Sequence, residues 1–327
     1  MTANGSIPWA VKPELLPRDP YAWRVWSWRL ASLDVSTFDV ADEKANEDAF
    51  TRPWGQPWLQ RISANPFPIS GGERHVLFGS QMDSYRTGEI TLAKSVLPAL
   101  RKGMPCLADL NFFGFELRQQ AQNTGADLLW RMKKNMRMAC EKRLSEGSYL
   151  NHVYPSERDW RHKTNGIVLR VIDYRLEGLD GAEPIYRLAT AILDPGKAPA
   201  SELAALHRER WEIETAFDEL KPDLRGAKIV LRSKTPDLVR QEFYGLLMTH
   251  FAIRGLMHKA ALKADEDPDR LSFLRAVRAI RRKMAVYGAI PPPRREELFI
   301  RRFSMSSFRN ALSPAATTAV FAGLSAR

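Results

Sequence analysis

Cysteine is nearly absent from this 327-residue chain: there are two, Cys106 and Cys140. Two thiols give no disulfide framework and no zinc spacing, which suits a reducing compartment. Cys106 lies in an apolar run and reads as core. His75, His152, His162, His250 and His258 show no ligand spacing either. No uninterrupted apolar run approaches membrane-spanning length. Residues 1–20 hold four prolines and no apolar h-region, which argues against a secretory leader. No segment repeats. Acidic charge is in deficit: 49 Lys and Arg face 38 Asp and Glu, for a net charge of +11. That favours a polyanionic partner, although ribosomal and membrane-surface proteins share the bias. Hydrophobic residues make up 44%, enough for a large core in one domain or two.

The chain divides by pattern. Residues 1–27 are rich in Pro and Trp and read as an irregular arm. Trp28 to Val40 reads as a strand and turn carrying Asp34. Residues 51–74 hold four prolines and three glycines without alternation, so a strand is not expected there. His75 to Ser80 regains strand character, and Glu89 to Leu100 has a helical pattern. Met104 to Ala108 is a short apolar run ending at Asp109, the mark of a buried strand with an acid at its end. Phe115 to Asn123 is helical, and Asp127 to Met132 returns to strand. Lys133, Lys134, Arg137, Lys142 and Arg143 make a basic stretch. Ile167–Leu176 and Ile185–Leu193 form a β-rich unit. Thr235 and Pro236 begin a long apolar helix, with proline at its first position. A last helix over Arg270–Met284 carries Arg275, Arg278, Arg281 and Arg282.

The segment from His207 to Lys221 is the most informative. It reads as an amphipathic helix with Ser201 as N-cap and Glu202 in its first turn. At about 100° per residue, His207, Arg210, Glu214 and Lys221 fall within a sector of roughly 60°. One carboxylate is thus flanked by cations, with Leu203, Leu206, Phe217 and Leu220 beside the stripe. Such a face suits a metal-binding carboxylate working beside an anionic backbone. The plain alternative is a solvated face with i,i+4 ion pairs. Glu212 and Glu219 compete with Glu214, but only Glu214 shares the face of His207, Arg210 and Lys221.

The spacing His207-x2-Arg210-x3-Glu214-x6-Lys221 resembles the Y-x2-R-x3-E-x6-K signature of bacterial insertion-sequence transposases, IS family four. Trp211 and Phe217-x2-Leu220 fit the same context. Leu33-Asp34-Val-Ser-Thr-Phe-Asp-Val-Ala-Asp-Glu-Lys-Ala-Asn46 resembles that family's first-aspartate block. Leu107-Ala108-Asp109-Leu110-Asn111-Phe112-Phe113 resembles its second. The likeness runs, with gaps, from Trp28 to Ile290.

The resemblance implies an α/β fold: an RNase H-like core with a β-rich insertion between the second and third catalytic acids. The core would comprise residues 28–134 and 201–293, the insertion 135–200, and an atypical tail 294–327. It implies Asp34, Asp109 and Glu214 as catalytic residues and ligands of Mg²⁺ or Mn²⁺, with two ions. Paired ions can activate the attacking oxygen and stabilise the leaving one in DNA strand cleavage and transfer. His207, Arg210 and Lys221 would contact DNA, arginine by a fork and lysine as a point charge. The partners implied are terminal inverted repeats and target DNA, with a homodimer on paired ends, in the cytoplasm at the nucleoid.

Pattern alone leaves rivals open. Asp39 or Asp42 competes with Asp34, and Asp109 could cap the following helix. Trp130 and Trp160 are candidates to stack on an unpaired base. Lys228, Arg232, Lys234 and Arg240 could follow a phosphate backbone.

Several positions depart from the family pattern. Val35 replaces a usual glycine, which is costly if the backbone there needs positive φ. Leu110 replaces arginine, His207 replaces tyrosine, and Pro222 follows Lys221. Only 33 residues precede Asp34. The irregular reading of residues 52–74 replaces a central strand of the family, as a pair of compensated frameshifts would. These departures predict a decayed, catalytically silent copy. A basic nucleic-acid-binding module without chemistry is the alternative from another class.

Overall fold

The computed structural model describes residues 30–51, 60–69, 76–133, 136, 138–144, 146–174, 185–208, 219–220, 230–264 and 271–287. It is a mixed α/β structure built on one eleven-stranded sheet. The strands are β1 (Ala31–Leu33), β2 (Ser36–Val40), β3 (Gln60–Ile69), β4 (Val76–Ser84), β5 (Pro105–Ala108) and β6 (Asp127–Arg131). They continue with β7 (Lys142–Arg143), β8 (Tyr149–Val153), β9 (Ile167–Tyr174), β10 (Tyr186–Thr190) and β11 (Val230–Leu231). The helices are α1 (Lys44–Phe50), α2 (Glu89–Val96), α3 (Phe115–Asn123), α4 (Glu157–His162) and α5 (Ala200–Arg208). The long α6 (Pro236–Ala264) and α7 (Phe273–Tyr287) follow.

The sheet centre is parallel. β1 pairs with β5, and β5 with β6, all in one direction. On one side β3 runs antiparallel to both β1 and β2, and β4 antiparallel to β3. On the other side β10, β9, β8 and β7 extend the sheet as an antiparallel meander.

Alternation along the central strands sends side chains to two layers. Cys106, Ala108, Leu128 and Trp130 pack with Ala93, Val96, Leu117 and Ala121 of α2 and α3. Leu107, Leu129 and Leu188 pack with Leu203 of α5. A third cluster joins Phe38, Val40 and Phe50 to Val239, Phe243 and Met257 of α6 and to Phe273 and Val277 of α7. Each fully buried Leu, Val, Phe or Met among them contributes roughly 1.5–3 kcal/mol. No helix among the described residues is long and apolar enough to cross a membrane.

Most expected elements are present. The strand and turn around Asp34, the buried strand before Asp109, α2, α3, β6, β9, β10 and both C-terminal helices match their sequence patterns. Pro236 opens α6, where a missing N–H costs nothing, and Val239 N–H donates to Thr235 O at 2.9 Å. Ser201 is not the N-cap of the motif helix. The helix begins at Ala200, whose N–H donates to Glu146 Oε2 at 2.8 Å.

The proline- and glycine-rich segment corrects the sequence reading. Residues 60–69 form a ten-residue strand beside the strands that flank Asp34. Pro66 is tolerated because of where it falls. Asn65 partners Gln81 and Phe67 partners Phe78, so Gly79 and Ser80 together face Pro66. Gly79 has φ 58°, the left-handed conformation a glycine bulge needs. On the opposite edge β3 pairs with Ser36 through Ala64 and with Ala31 through Ile69, leaving residues 32–35 out of the ladder. Pro66 therefore lies opposite Asp34 where that ladder lapses. Its missing N–H is asked for on neither side. Residues 52–59 and 70–74 lie outside the described residues.

Candidate functional site

The parallel strands place two of the three expected acids together. Leu33, Ala108 and Trp130 are register partners across β1, β5 and β6. Asp34, Asp109 and Arg131 each come one residue later, at the same edge of the sheet. Adjacent strands are about 4.8 Å apart, so Asp34 and Asp109 are immediate neighbours. Asp39, the rival to Asp34, is five residues further along, roughly 16 Å at ~3.3 Å per residue.

The surroundings of Asp109 do not occupy its carboxylate. It begins a short 3-10 turn over Leu110–Phe112, yet its side chain makes no capping hydrogen bond. Phe112 N–H is satisfied instead by the Asp109 carbonyl at 3.1 Å. Asp109 Oδ1 is buried without a hydrogen-bond partner. Arg131 Nη1 stands 3.8 Å from it, close enough for charge but long for a hydrogen bond. The Arg131 guanidinium also lies 5.0 Å from the centroid of the Tyr186 ring. Sequence reasoning passed over Arg131. Its signal is its place one residue beyond the apolar run of β6, in line with Asp109.

Asp34 is half-buried and takes the N–H of Val35 at 2.8 Å on its Oδ1. Val35 is not among the described residues with positive φ. The strain expected from valine in place of glycine is therefore not present.

The motif helix is described only at its ends. Arg210 and Glu214 fall within 209–218 and Lys221 within 221–229, outside the described residues. His207 is buried at 6% exposure. Glu219, a rival to Glu214, is buried and held by His250 and Arg254 of α6. It is committed elsewhere. Among the described residues no group of three His, Cys, Asp or Glu could hold a metal ion.

A groove beside α4 is lined by Phe113, Phe115, Tyr154, Trp160, Lys163 and Arg187. Trp160 is 55% exposed, with Lys163 Nζ 4.8 Å from its ring centroid. The turn presenting it is knotted by Asp159, which accepts from Thr164 Oγ1 at 3.0 Å and Asn165 Nδ2 at 2.9 Å. Those hydrogen bonds, with that of Ser156 first, hold the Asp159 carboxyl below its ordinary value. Trp130, the other stacking candidate, is fully buried with Arg118 over its ring, so no base reaches it. Lys234 and Arg240 pair with Glu43 and Asp237, while Arg275, Arg278, Arg281 and Arg282 are exposed along α7. Lys228 lies outside the described residues.

The profile of the family described as Transposase DDE domain matches residues 72–252, more than half of the chain. The chain belongs to the transposase DDE domain family. A relative is "Transposase InsG for insertion sequence element IS4" of Escherichia coli (strain K12), 25% identical over 231 residues. The alignment covers 68% of this chain and 51% of that protein, so the chain spans about half the length of the curated relative it matches. The resemblance to IS family four is thus borne out. In this DDE transposase domain the matched region includes Asp109 and the whole segment from His207 to Lys221, and it begins after Asp34.

Proposed function

We propose that this chain is a DDE transposase that cleaves and transfers DNA strands at insertion-sequence ends. The observation that carries the reading is the placement of Asp34 and Asp109 side by side at parallel strand ends, in a chain of this family. The buried Oδ1 of Asp109 accepts no hydrogen bond and has the Arg131 guanidinium only at 3.8 Å, an arrangement that fits a closer cation. Carboxylate oxygens are the ligands Mg²⁺ and Mn²⁺ prefer. Asp34, Asp109 and Glu214 are assigned as the acids that hold the metal, as two ions. When bound, the metal supplies the charge that activates an attacking oxygen and stabilises the leaving one.

The remaining roles belong to the chain's own residues. Arg210 and Lys221 steady the DNA backbone beside Glu214, the arginine by its fork. His207, being buried, supports the motif helix from beneath rather than meeting phosphate. Arg131 offers a cation at the edge of the acid pair, and Trp160 an exposed ring for an unpaired base. The strand order β4-β3-β1-β5-β6 supports an RNase H-like core, with residues 135–200 as its β-rich insertion. The DNA ends would be terminal inverted repeats, held by a homodimer at the nucleoid.

A silent copy was expected mainly from a lost strand beside Asp34. That ground is removed by β3. The test is purified chain with linear DNA ending in the element's inverted repeats, with and without Mg²⁺ or Mn²⁺. Metal-dependent nicking at the end, absent in Glu214→Gln, is expected. Salt-sensitive DNA retention with no metal-dependent cleavage would instead mark a basic binding module.

A further inference from the structure

Exposed cations on α1, α4 and α6 are matched by acids one turn away: Lys44 by Asp48, Arg161 by Glu157 and Arg240 by Asp237. Helix α7 departs from that rule. Over Phe273–Tyr287 it carries no Asp or Glu. Its inner face, with Phe273, Ala276, Val277 and Ala279, joins the core cluster shared with α6. Its outer face exposes Arg275, Arg278, Arg281 and Arg282. At 100° per residue Arg275, Arg278 and Arg282 fall within a sector of roughly 60°, with Arg281 next to it. Arg278 and Arg282 are four residues apart, a like-charged spacing that destabilises a helix. No acid of α7 itself offsets it. Such a face gains when a polyanion lies across it.

Duplex DNA is the polyanion that fits. Arg275 to Arg282 spans about 10 Å at 1.5 Å per residue. DNA presents one phosphate charge per ~1.7 Å of axis, so about six lie within that length. The guanidinium fork matches phosphate geometry. A membrane surface fits less well: a helix lying in an interface needs its apolar face free, and that of α7 is in the core. The placement also suits DNA. The same cluster contains Phe38 and Val40 of β2, four and six residues past Asp34. Phe38 is thus roughly 13 Å beyond Asp34 at ~3.3 Å per residue. One turn of duplex is about 34 Å long, so DNA ending at the acids is long enough to reach past this cluster.

We propose that the arginine face of α7 is a second DNA-contacting surface, which holds the phosphate backbone of the duplex flanking the end bound at the acids, without reading its sequence. The inference rests on the reading of the chain as a DNA-cleaving transposase and extends it from the acids to the flank.

The test is binding of the full chain to a random-sequence duplex in chelator, read by fluorescence anisotropy between about 50 and 200 mM salt. Each neutralised phosphate adds about 0.9 to the slope of log K against log salt. Arg275→Gln, Arg278→Gln and Arg282→Gln combined are expected to flatten that slope by about 2–3. Gln is close to Arg in helix propensity, so the melting temperature is expected to stay near the parent's. Lys44→Gln, which removes an exposed cation of α1, is expected to keep the parent slope. A triple variant with the parent's slope overturns the proposal, and more so if it has lost binding to phosphatidylserine vesicles. A slope flattened as much by Lys44→Gln as by Arg278→Gln alone marks a general charge effect and overturns it too. If the parent nicks inverted-repeat ends while the triple variant keeps its slope, this proposal alone falls. If the parent retains no duplex at all, the reading of the chain as a transposase falls and the proposal with it.

Discussion

Asp34 and Asp109 each stand one residue past a pair of register partners, Leu33 and Ala108, on adjacent parallel strands. Parallel strands present their ends together, so two acids 75 residues apart in sequence become neighbours without any special loop. The carboxylate of Asp109 then sits with one oxygen buried and unbonded. The Arg131 guanidinium at 3.8 Å compensates that oxygen only in part, so it gains when a closer cation arrives.

Asp109→Asn should therefore separate stability from metal response. In chelator the variant is expected to melt at or above the parent temperature. Added Mn²⁺ at about 100 times its dissociation constant should stabilise the parent by ~2.7 kcal/mol and leave the variant unmoved. Scanning calorimetry with and without metal reads both. An equal Mn²⁺ shift in the two proteins would contradict the assignment.

Glu214→Gln keeps the side chain's shape and removes its charge. Strand cleavage should be lost while DNA retention is kept or improved, since one repulsive charge leaves the phosphate path. Glu212→Gln should cleave like the parent. The reverse pattern in a nicking assay would refute the helix-face argument.

Arg118 on α3 is fully buried, with Nε and Nη2 lacking hydrogen-bond partners. Burial pulls its pKa down to about 10, so it remains charged at neutral pH, with one long hydrogen bond from Nη1 to Ala189 O at 3.5 Å against its desolvation cost. The Trp130 face at 5.9 Å offsets only part of it. Arg118→Met should be neutral or more stable by about 1–4 kcal/mol. Urea unfolding checks this, and a loss above about 1 kcal/mol would show that the guanidinium is better satisfied than its contacts indicate.

The two cysteines should differ sharply in reactivity. Burial pushes the Cys106 thiol up to about 12, whereas Cys140 is exposed. Only the thiolate attacks disulfide reagents. Titration with such a reagent at pH 8 should modify Cys140 alone in the native chain and both after unfolding. Rapid native modification of Cys106 would mean that the sheet centre opens readily.

Much of the fold was legible in sequence where apolar patterns were long or sharply bounded. Met104 to Ala108 announced β5 through four consecutive buried residues, and Asp109 through its position just after them. Pro66 misled for a physical reason. A proline usually breaks a strand, but here it meets Gly79 at one bulge, and a pattern along one strand cannot reveal its partner. The α1 helix is seven residues long, too short for its periodicity to stand out, and only Asn46 and Phe50 are buried. The sequence offered Glu219 only as a rival to Glu214, because its partners, His250 and Arg254, lie more than thirty residues away. Arg131 was hidden likewise, since its value depends on the strand beside it.

The central claim is that Asp34, Asp109 and Glu214 share bound metal. Iron-directed backbone cleavage tests it most directly: the chain is loaded with Fe²⁺, treated with ascorbate and peroxide, and its fragments are mapped. Hydroxyl radicals cut only close to the ion. Three cuts are predicted, near residues 34, 109 and 214, all suppressed by excess Mg²⁺ or by Glu214→Gln. Cuts clustered elsewhere, or a pattern unchanged in Glu214→Gln, would contradict a site built from these three acids.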